Sequence, residues 1–140
     1  MQKGQTGETH GFAWLLMLAL VLVGCNGAGA KLTEIQRVRS GTLDVVVLSP
    51  HEGLKQKDSV TIEFRSASNG NLVDVGDVKG SASMSMSGTP MLGSVDIKRG
   101  DQPGRYTANM QLDMVGTWRL SLEWKGPAGQ GSTSFSSSVQ

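Results

Sequence analysis

The sequence predicts an all-β fold, an antiparallel β-sandwich of seven or eight strands preceded by a cleaved signal helix, and three observations carry that expectation. Apolar and polar residues alternate with period two through most of the 140-residue chain, which places every second side chain on one face of a strand. The alternating runs are short and separated at regular spacing by Gly, Pro, Asn and Asp, the residues that tight turns need. The one long unbroken apolar run, Phe12 to Val23, sits near the start of the chain. The length suits a single domain. A formal net charge of +1 leaves no broadly basic face for nucleic acid. A single cysteine excludes an internal disulfide and any multi-cysteine zinc or iron–sulfur site.

Phe12–Val23 would make a helix of about 18 Å, short of a hydrocarbon core of ~30 Å. Its length fits the apolar region of a secretory signal, after a polar stretch in which Lys3 is offset by Glu8. Leu22-Val23-Gly24-Cys25 then resembles a bacterial lipobox. Small side chains there fit a peptidase groove, and the thiol is the nucleophile that is alkylated. The resemblance implies cleavage before Cys25 and a diacylglyceryl group on its sulfur. Two or more acyl chains anchor stably at ~0.8 kcal/mol per buried methylene. The implied organisation is a signal peptide over 1–24, a lipidated Cys25 with a flexible tether over 25–32, and a β-domain over 33–140. The implied location is the cell envelope, with the domain facing the periplasm or the exterior.

The strands read in order. Ile35–Val38 is an edge strand or a loosely held arm. Leu43, Val45 and Val47 share one face of a strand that stops at Ser49-Pro50. Val60, Ile62 and Phe64 alternate with Thr61, Glu63 and Arg65 in a half-buried strand, and Asn69-Gly70 supplies a tight hairpin with Val73 and Val75 on the return. Ala82, Met84 and Met86 alternate with serines. Val95 and Ile97 follow, closed by Gly100-Asp101-Gln102-Pro103-Gly104. Tyr106, Ala108, Met110, Leu112 and Met114 form the longest alternating face. Trp118, Leu120, Leu122 and Trp124 form the next, and Thr133–Val139 closes the domain after Gly126-Pro127-Ala128-Gly129.

Asp101-x-x-Gly104-x-Tyr106-x-Ala108 sharpens the class to an immunoglobulin-like sandwich. In such domains a tyrosine at this corner bonds its hydroxyl back to the backbone, two residues before a cysteine. Ala108 takes the cysteine position here, so the domain is a disulfide-free variant. A barrel of the same strands is the alternative.

Five methionines follow the signal, three of them in Met84-Ser85-Met86-Ser87-Gly88-Thr89-Pro90-Met91. Thioether sulfur is soft and uncharged and selects Cu(I) over hard cations. Met84 and Met86 project to one side of a strand, and a turn at Gly88-Thr89-Pro90 would return Met91 toward them. Met114 and His51 stand behind these three as candidate ligands, with the Trp118 ring face as a further neighbour. Packing explains some methionines equally well: Met110 and Met114 are in phase with Tyr106 and Leu112, and Met84 and Met86 continue the Ala82 face. Met91, after a proline, is the least explained by packing. His51 is the one histidine after the signal, so there is no imidazole pair for Cu(II) or zinc.

Met84-x-Met86-x-x-x-Pro90-Met91, Pro103-Gly104-Arg105-Tyr106-x-Ala108 and Met114-x-Gly116-x-Trp118 occur in this order between Met84 and Trp124. Together they resemble the YtkA-like/FixH-like family of small extracytoplasmic β-domains, with the region before Leu54 contributing little. The resemblance implies an immunoglobulin-like sandwich, a membrane-tethered accessory role and copper as the favoured ligand. It supplies no ligand set. Membrane-integral FixH proteins keep an anchor helix, which a lipidated Cys25 replaces here.

Nothing in the chain asks for catalysis. His51 alone provides an imidazole base, no serine sits in a Gly-x-Ser-x-Gly elbow, and Cys25 is assigned to lipid. The carboxylates alternate with apolar residues, as on a solvated sheet face, and Arg105 beside Tyr106 reads as a rim residue. The expected protein is therefore not an enzyme. It is a lipid-anchored module that binds Cu(I) or delivers it to a membrane or envelope partner, or else a metal-free structural or interaction module of the envelope. It has no nucleic-acid partner.

Overall fold

Period-two alternation builds eight strands: β1 (Thr33–Ser40), β2 (Leu43–Ser49), β3 (Lys57–Ser66), β4 (Asp77–Met86), β5 (Thr89–Arg99), β6 (Arg105–Gln111), β7 (Gly116–Gly126) and β8 (Gly129–Val139). The computed structural model describes residues 29–140. The signal peptide expected over 1–24, Cys25 and the first part of the expected tether lie outside the described residues. All pairings between strands are antiparallel, in the order β1-β2-β3-β6-β5-β4-β7-β8.

The fold is an immunoglobulin-like sandwich whose two halves are joined through β5. Residues Thr89–Gly93 of β5 pair with β4, and Ser94–Arg99 pair with β6. Gly80 of β4 makes that bend possible, because a Cβ there would lie 2.7 Å from Val95 Cγ1 and 2.8 Å from Ile97 Cδ1. At the opposite margin, Ser40 Oγ of β1 donates to the Ser132 carbonyl of β8 at 3.3 Å. The sandwich is thus nearly closed, which brings the two alternatives, sandwich and barrel, close together.

The core forms between the halves. Val45, Val47, Val60, Ile62, Phe64, Tyr106, Ala108 and Met110 face Val78, Ala82, Met84, Trp118, Leu120, Leu122 and Trp124. Phe64 meets Tyr106 and Trp124 edge-on, with ring centroids 5.5 and 5.1 Å apart. Such pairs add about 0.5–1.5 kcal/mol each beyond burial.

Two local readings need correction. Asn69-Gly70 does form a turn, with Gly70 N–H donating to the Ser66 carbonyl at 2.8 Å. The hairpin it closes is only one bridge long, held by Ser66 N–H to the Asn71 carbonyl and Val73 N–H to the Phe64 carbonyl, both at 2.8 Å. β3 already has β2 and β6 on its two edges, so the return makes a single bridge, Arg65↔Leu72, and crosses to the other half. The alternating face from Tyr106 runs through buried Leu112, whose N–H extends the β3–β6 ladder to the Gln56 carbonyl at 2.7 Å, and it ends there because residues 113–115 form a bend. Met114 therefore sits in a bend outside the sheet and out of phase with Met110. Leu43, Val45 and Val47 do share one face of β2, and Val46 on the other face is as buried as Val45 and Val47, so β2 is covered on both sides.

The tyrosine bonds back to the backbone as expected. Tyr106 Oη donates to the Gly76 carbonyl at 2.7 Å, 30 residues upstream, so the bond ties β6 to the chain entering β4. Ile35–Val38 lies in the edge strand β1, whose register with β2 shifts between Glu34 and Gln36.

Antiparallel order sorts the strand ends into two poles. The upper pole holds the start of β1, the β2–β3 loop, the β4–β5 hairpin, the β6–β7 bend and the end of β8. The lower pole holds the β1–β2, β5–β6 and β7–β8 turns and the β3–β4 crossing.

Candidate functional site

The methionines gather at the upper pole. Ser87-Gly88 forms the two-residue turn of the β4–β5 hairpin, with Gly88 at φ 84°, a left-handed conformation that glycine adopts without steric cost. The resulting register sets Met84 directly opposite Met91 and Met86 opposite Thr89. Directly opposed residues of an antiparallel pair have Cβ atoms about 4.5–5.5 Å apart on one face. Met86, two residues beyond Met84, projects from that same face. The turn therefore lies one residue earlier than the Gly88-Thr89-Pro90 expected, and it still brings Met91 back to Met84.

Burial grades the sulfurs. Met84 is 8% exposed and part of the core, Met91 is half-buried against it, and Met86 and Met114 are 46% and 37% exposed. Met84 also packs toward the β6–β7 bend that carries Met114: a Cβ on Gly116 would fall 2.5 Å from Met84 Cε. Trp118, fully buried, donates its indole N–H to the Met114 carbonyl at 2.9 Å and holds that bend in place. The arrangement is a graded set of neutral, soft donors on a hairpin and a bend, backed by an aromatic floor.

His51 lies in the β2–β3 loop at the same pole. It borders one shallow hollow with Lys57, Asp58 and Met110 and another with Glu52, Lys55 and Gln140, and neither includes Met84, Met86, Met91 or Met114. Among the described residues no group of three or more His, Cys, Asp or Glu is placed to hold a metal ion. The soft donors on the hairpin and the bend are thioethers, and His51 stands apart from them.

A second constellation lies on the outer face of β1, β2, β3 and β6. Cross-strand pairing lines up Arg37, Val46, Glu63 and Arg105 in one row and Arg39, Asp44 and Arg65 in the next. Glu63 is 2% exposed, which corrects its assignment to a solvated face. Its Oε1 accepts from Arg105 Nε at 3.1 Å and Nη2 at 2.9 Å, and its Oε2 accepts from Arg65 Nε at 2.6 Å and from Arg65 Nη2. Arg105 also reaches Asp101 at 3.2 Å, so it is a structural partner of Glu63. Hydrogen bonding by Arg39 holds the Asp44 carboxyl below the usual aspartate range. These guanidiniums cover Val46. Glu63 and Arg65 share a face by their spacing, whereas Arg105 joins them only through the β3–β6 pairing, which sequence does not announce.

The sequence matches the YtkA-like family over residues 37–123. The chain belongs to the YtkA-like family. The match starts in β1, so the region before Leu54 is part of the YtkA-like domain although it contributes little to the motif resemblance. Among solved structures, the domain is similar to FetP of uropathogenic E. coli strain F11, expressed in the periplasm, with a TM-score of 0.54 at 13% identity over 79% of this chain and 97% of that one. A copper-bound, singly substituted variant of FetP from the same strain aligns with a TM-score of 0.46 at 11% identity, over 77% and 95% of the two chains. The filamin domain of Lin-41 aligns at 0.41 and 13% identity, over 63% and 81%. No curated protein matches the sequence. The first likeness shows a shared fold.

Proposed function

We propose that this YtkA-like domain is a non-enzymatic, lipid-anchored extracytoplasmic module that binds Cu(I) through thioethers at its upper pole. The observation that carries the reading is the Met84↔Met91 pairing, with Met86 on the same face and Met114 on the adjoining bend. Thioethers bind Cu(I) without losing a proton and have little affinity for hard cations. Exposure of Met86 and Met114 gives the site an open side, as transfer to a membrane or envelope partner requires. Cys25, at the end of a lipobox-like stretch, supplies the anchor.

The test is a Cu(I) competition titration on the acylated chain and on a form with Met84, Met86 and Met91 all changed to leucine, which keeps the apolar volume. The expected result is loss of binding in the triple variant. Unchanged binding removes the site. Mass spectrometry of native and Cys25→Ala chains tests the anchor, with loss of the acylated species expected and an identical modification state refuting it.

A metal-free interaction module is the second reading, and the burial of Met84 favours it. A side chain 8% exposed within the core is already accounted for by packing. Cu(I) affinity no greater than that of the triple variant would decide for it.

A further inference from the structure

All five large apolar side chains that stand exposed among the described residues lie toward one end of the sandwich. They are Leu32 at 43%, Met86 at 46%, Leu92 at 73%, Met114 at 37% and Val115 at 59%. Leu32 immediately precedes β1, whose first residue pairs with the last residue of β2 at the upper pole. Met86 and Leu92 are on the β4–β5 hairpin, and Met114 and Val115 are on the β6–β7 bend. Exposed apolar residues scattered singly need no explanation, but their segregation to one pole marks an interaction surface.

The chain's connectivity names the occupant. The described chain enters β1 at this same pole, and Cys25 precedes Thr33 by eight positions. Eight residues span at most about 28 Å when fully extended. The 11 residues of β7, which run from the upper pole to the lower, measure about 36 Å at ~3.3 Å per residue. A tether fixed at Cys25 is thus too short to run back along the sandwich and present the lower pole to the anchoring surface. It presents the upper pole.

We infer that the upper pole, with Leu32, Met86, Leu92, Met114 and Val115, rests on the lipid surface, so that the thioether site opens toward the membrane. This rests on the anchoring proposed above and extends it to an orientation. The charges of this pole are mixed, with Lys31, Lys55 and Lys57 beside Glu52, Asp58 and Asp113. Contact is therefore carried by apolar side chains entering the headgroup layer and depends little on salt.

The experiment places one fluorophore at a time, through Leu92→Cys, Val115→Cys, Thr42→Cys or Ala128→Cys in the full acylated chain. The protein is reconstituted in vesicles of phosphatidylethanolamine and phosphatidylglycerol carrying a headgroup nitroxide. Labels at positions 92 and 115 are expected to lose most of their emission, and labels at 42 and 128, on the lower-pole turns, to lose little. Equal quenching at both poles, stronger quenching at the lower pole, or quenching at neither overturns the orientation. So does an upper pole that is free in lipid vesicles and shielded only in native membranes, which assigns the surface to a protein. Cu(I) titration and the mass at Cys25, measured on the same samples, report separately on the metal site and the anchor.

Discussion

Gly116 opens β7 at φ 134° and stands against the Met84 methyl, so Gly116→Ala tests fold and site together. A non-glycine residue held in this region costs about 1–3 kcal/mol. Restricting the unfolded chain returns about 0.4–1 kcal/mol. The new Cβ would also sit 2.5 Å from Met84 Cε and 3.9 Å from its sulfur, so the thioether has to swing away. Its flexible chain keeps that further cost small. The net expectation is a loss of about 1–2 kcal/mol. For a domain near this size that lowers the Tm by about 5–10 °C. Gly129→Ala is the internal control, because Gly129 has a similar φ of 125° and nothing within 4 Å of a new Cβ. Thermal unfolding followed by tryptophan fluorescence compares the two, and Cu(I) competition follows the site. Gly116→Ala should weaken Cu(I) binding while Gly129→Ala leaves it unchanged. A Gly116→Ala protein as stable as the parent, or one whose Cu(I) affinity matches that of Gly129→Ala, refutes the placement of Met84 as a ligand under the bend.

Tyr106→Phe removes the hydroxyl that donates to Gly76 and should cost about 1–2 kcal/mol in urea denaturation. Burial, then the nearby Asp74 charge, raises the Tyr106 phenol above its ordinary value of 10. The fold thus favours the neutral phenol: its contribution is complete below that ordinary value and is lost as pH rises through the folded one. Alkaline unfolding should accordingly be less steep in Tyr106→Phe. Asp74 behaves oppositely. The Gly76 N–H bond at 2.9 Å, then Arg99, lowers its carboxyl, so its contribution is present above the ordinary aspartate value and lost as pH falls through the folded one. Acid titration of Asp74→Asn should show a shallower decline in stability than the parent. Glu63→Ala leaves Arg65 and Arg105 without their shared carboxylate and should cost about 2–3 kcal/mol by chemical denaturation, at or below the usual figure for a broken buried pair because both guanidiniums reach solvent.

The class of fold is legible in this sequence because its strands alternate strictly and its turns are chemically marked. Val60-Thr61-Ile62-Glu63-Phe64 and Trp118–Trp124 alternate with period two, and both appear as strands with the expected faces inward. Partner choice is less legible. Asn69-Gly70 carries a strong hairpin signal, yet β3 is already paired on both edges, and no local rule encodes that competition. Met114 looks in phase with Met110, yet the chain bends at residues 113–115, just past the Leu112–Gln56 bond that ends the β3–β6 ladder, and no local signal marks that end. For the candidate site, spacing placed Met84 and Met86 on one face, and the turn residues placed Met91 opposite. Their unequal burial depends on Trp118 and Gly116, which come from another strand.

The two polar and apolar constellations assign different work to different surfaces. On the lateral face every arginine of the Glu63 and Asp44 rows has a carboxylate partner, and those bonds roof Val46. A ligand there would have to displace bonds that the sheet already makes. The upper pole differs, because thioethers form no strong hydrogen bonds and give up little when a soft ligand replaces water. Placement on a hairpin and a bend over a rigid sandwich suits binding, since such segments move while the scaffold stays fixed. Under the proposed Cu(I) binding, the exposed Met86 and Met114 would meet the ion first and the buried Met84 last. Capture would then be fast at the exposed sulfurs and retention set by the buried one, so leucine at Met86 should slow binding while leucine at Met84 should speed release. Stopped-flow competition resolves the two rates, and equal effects at both positions would contradict a graded site.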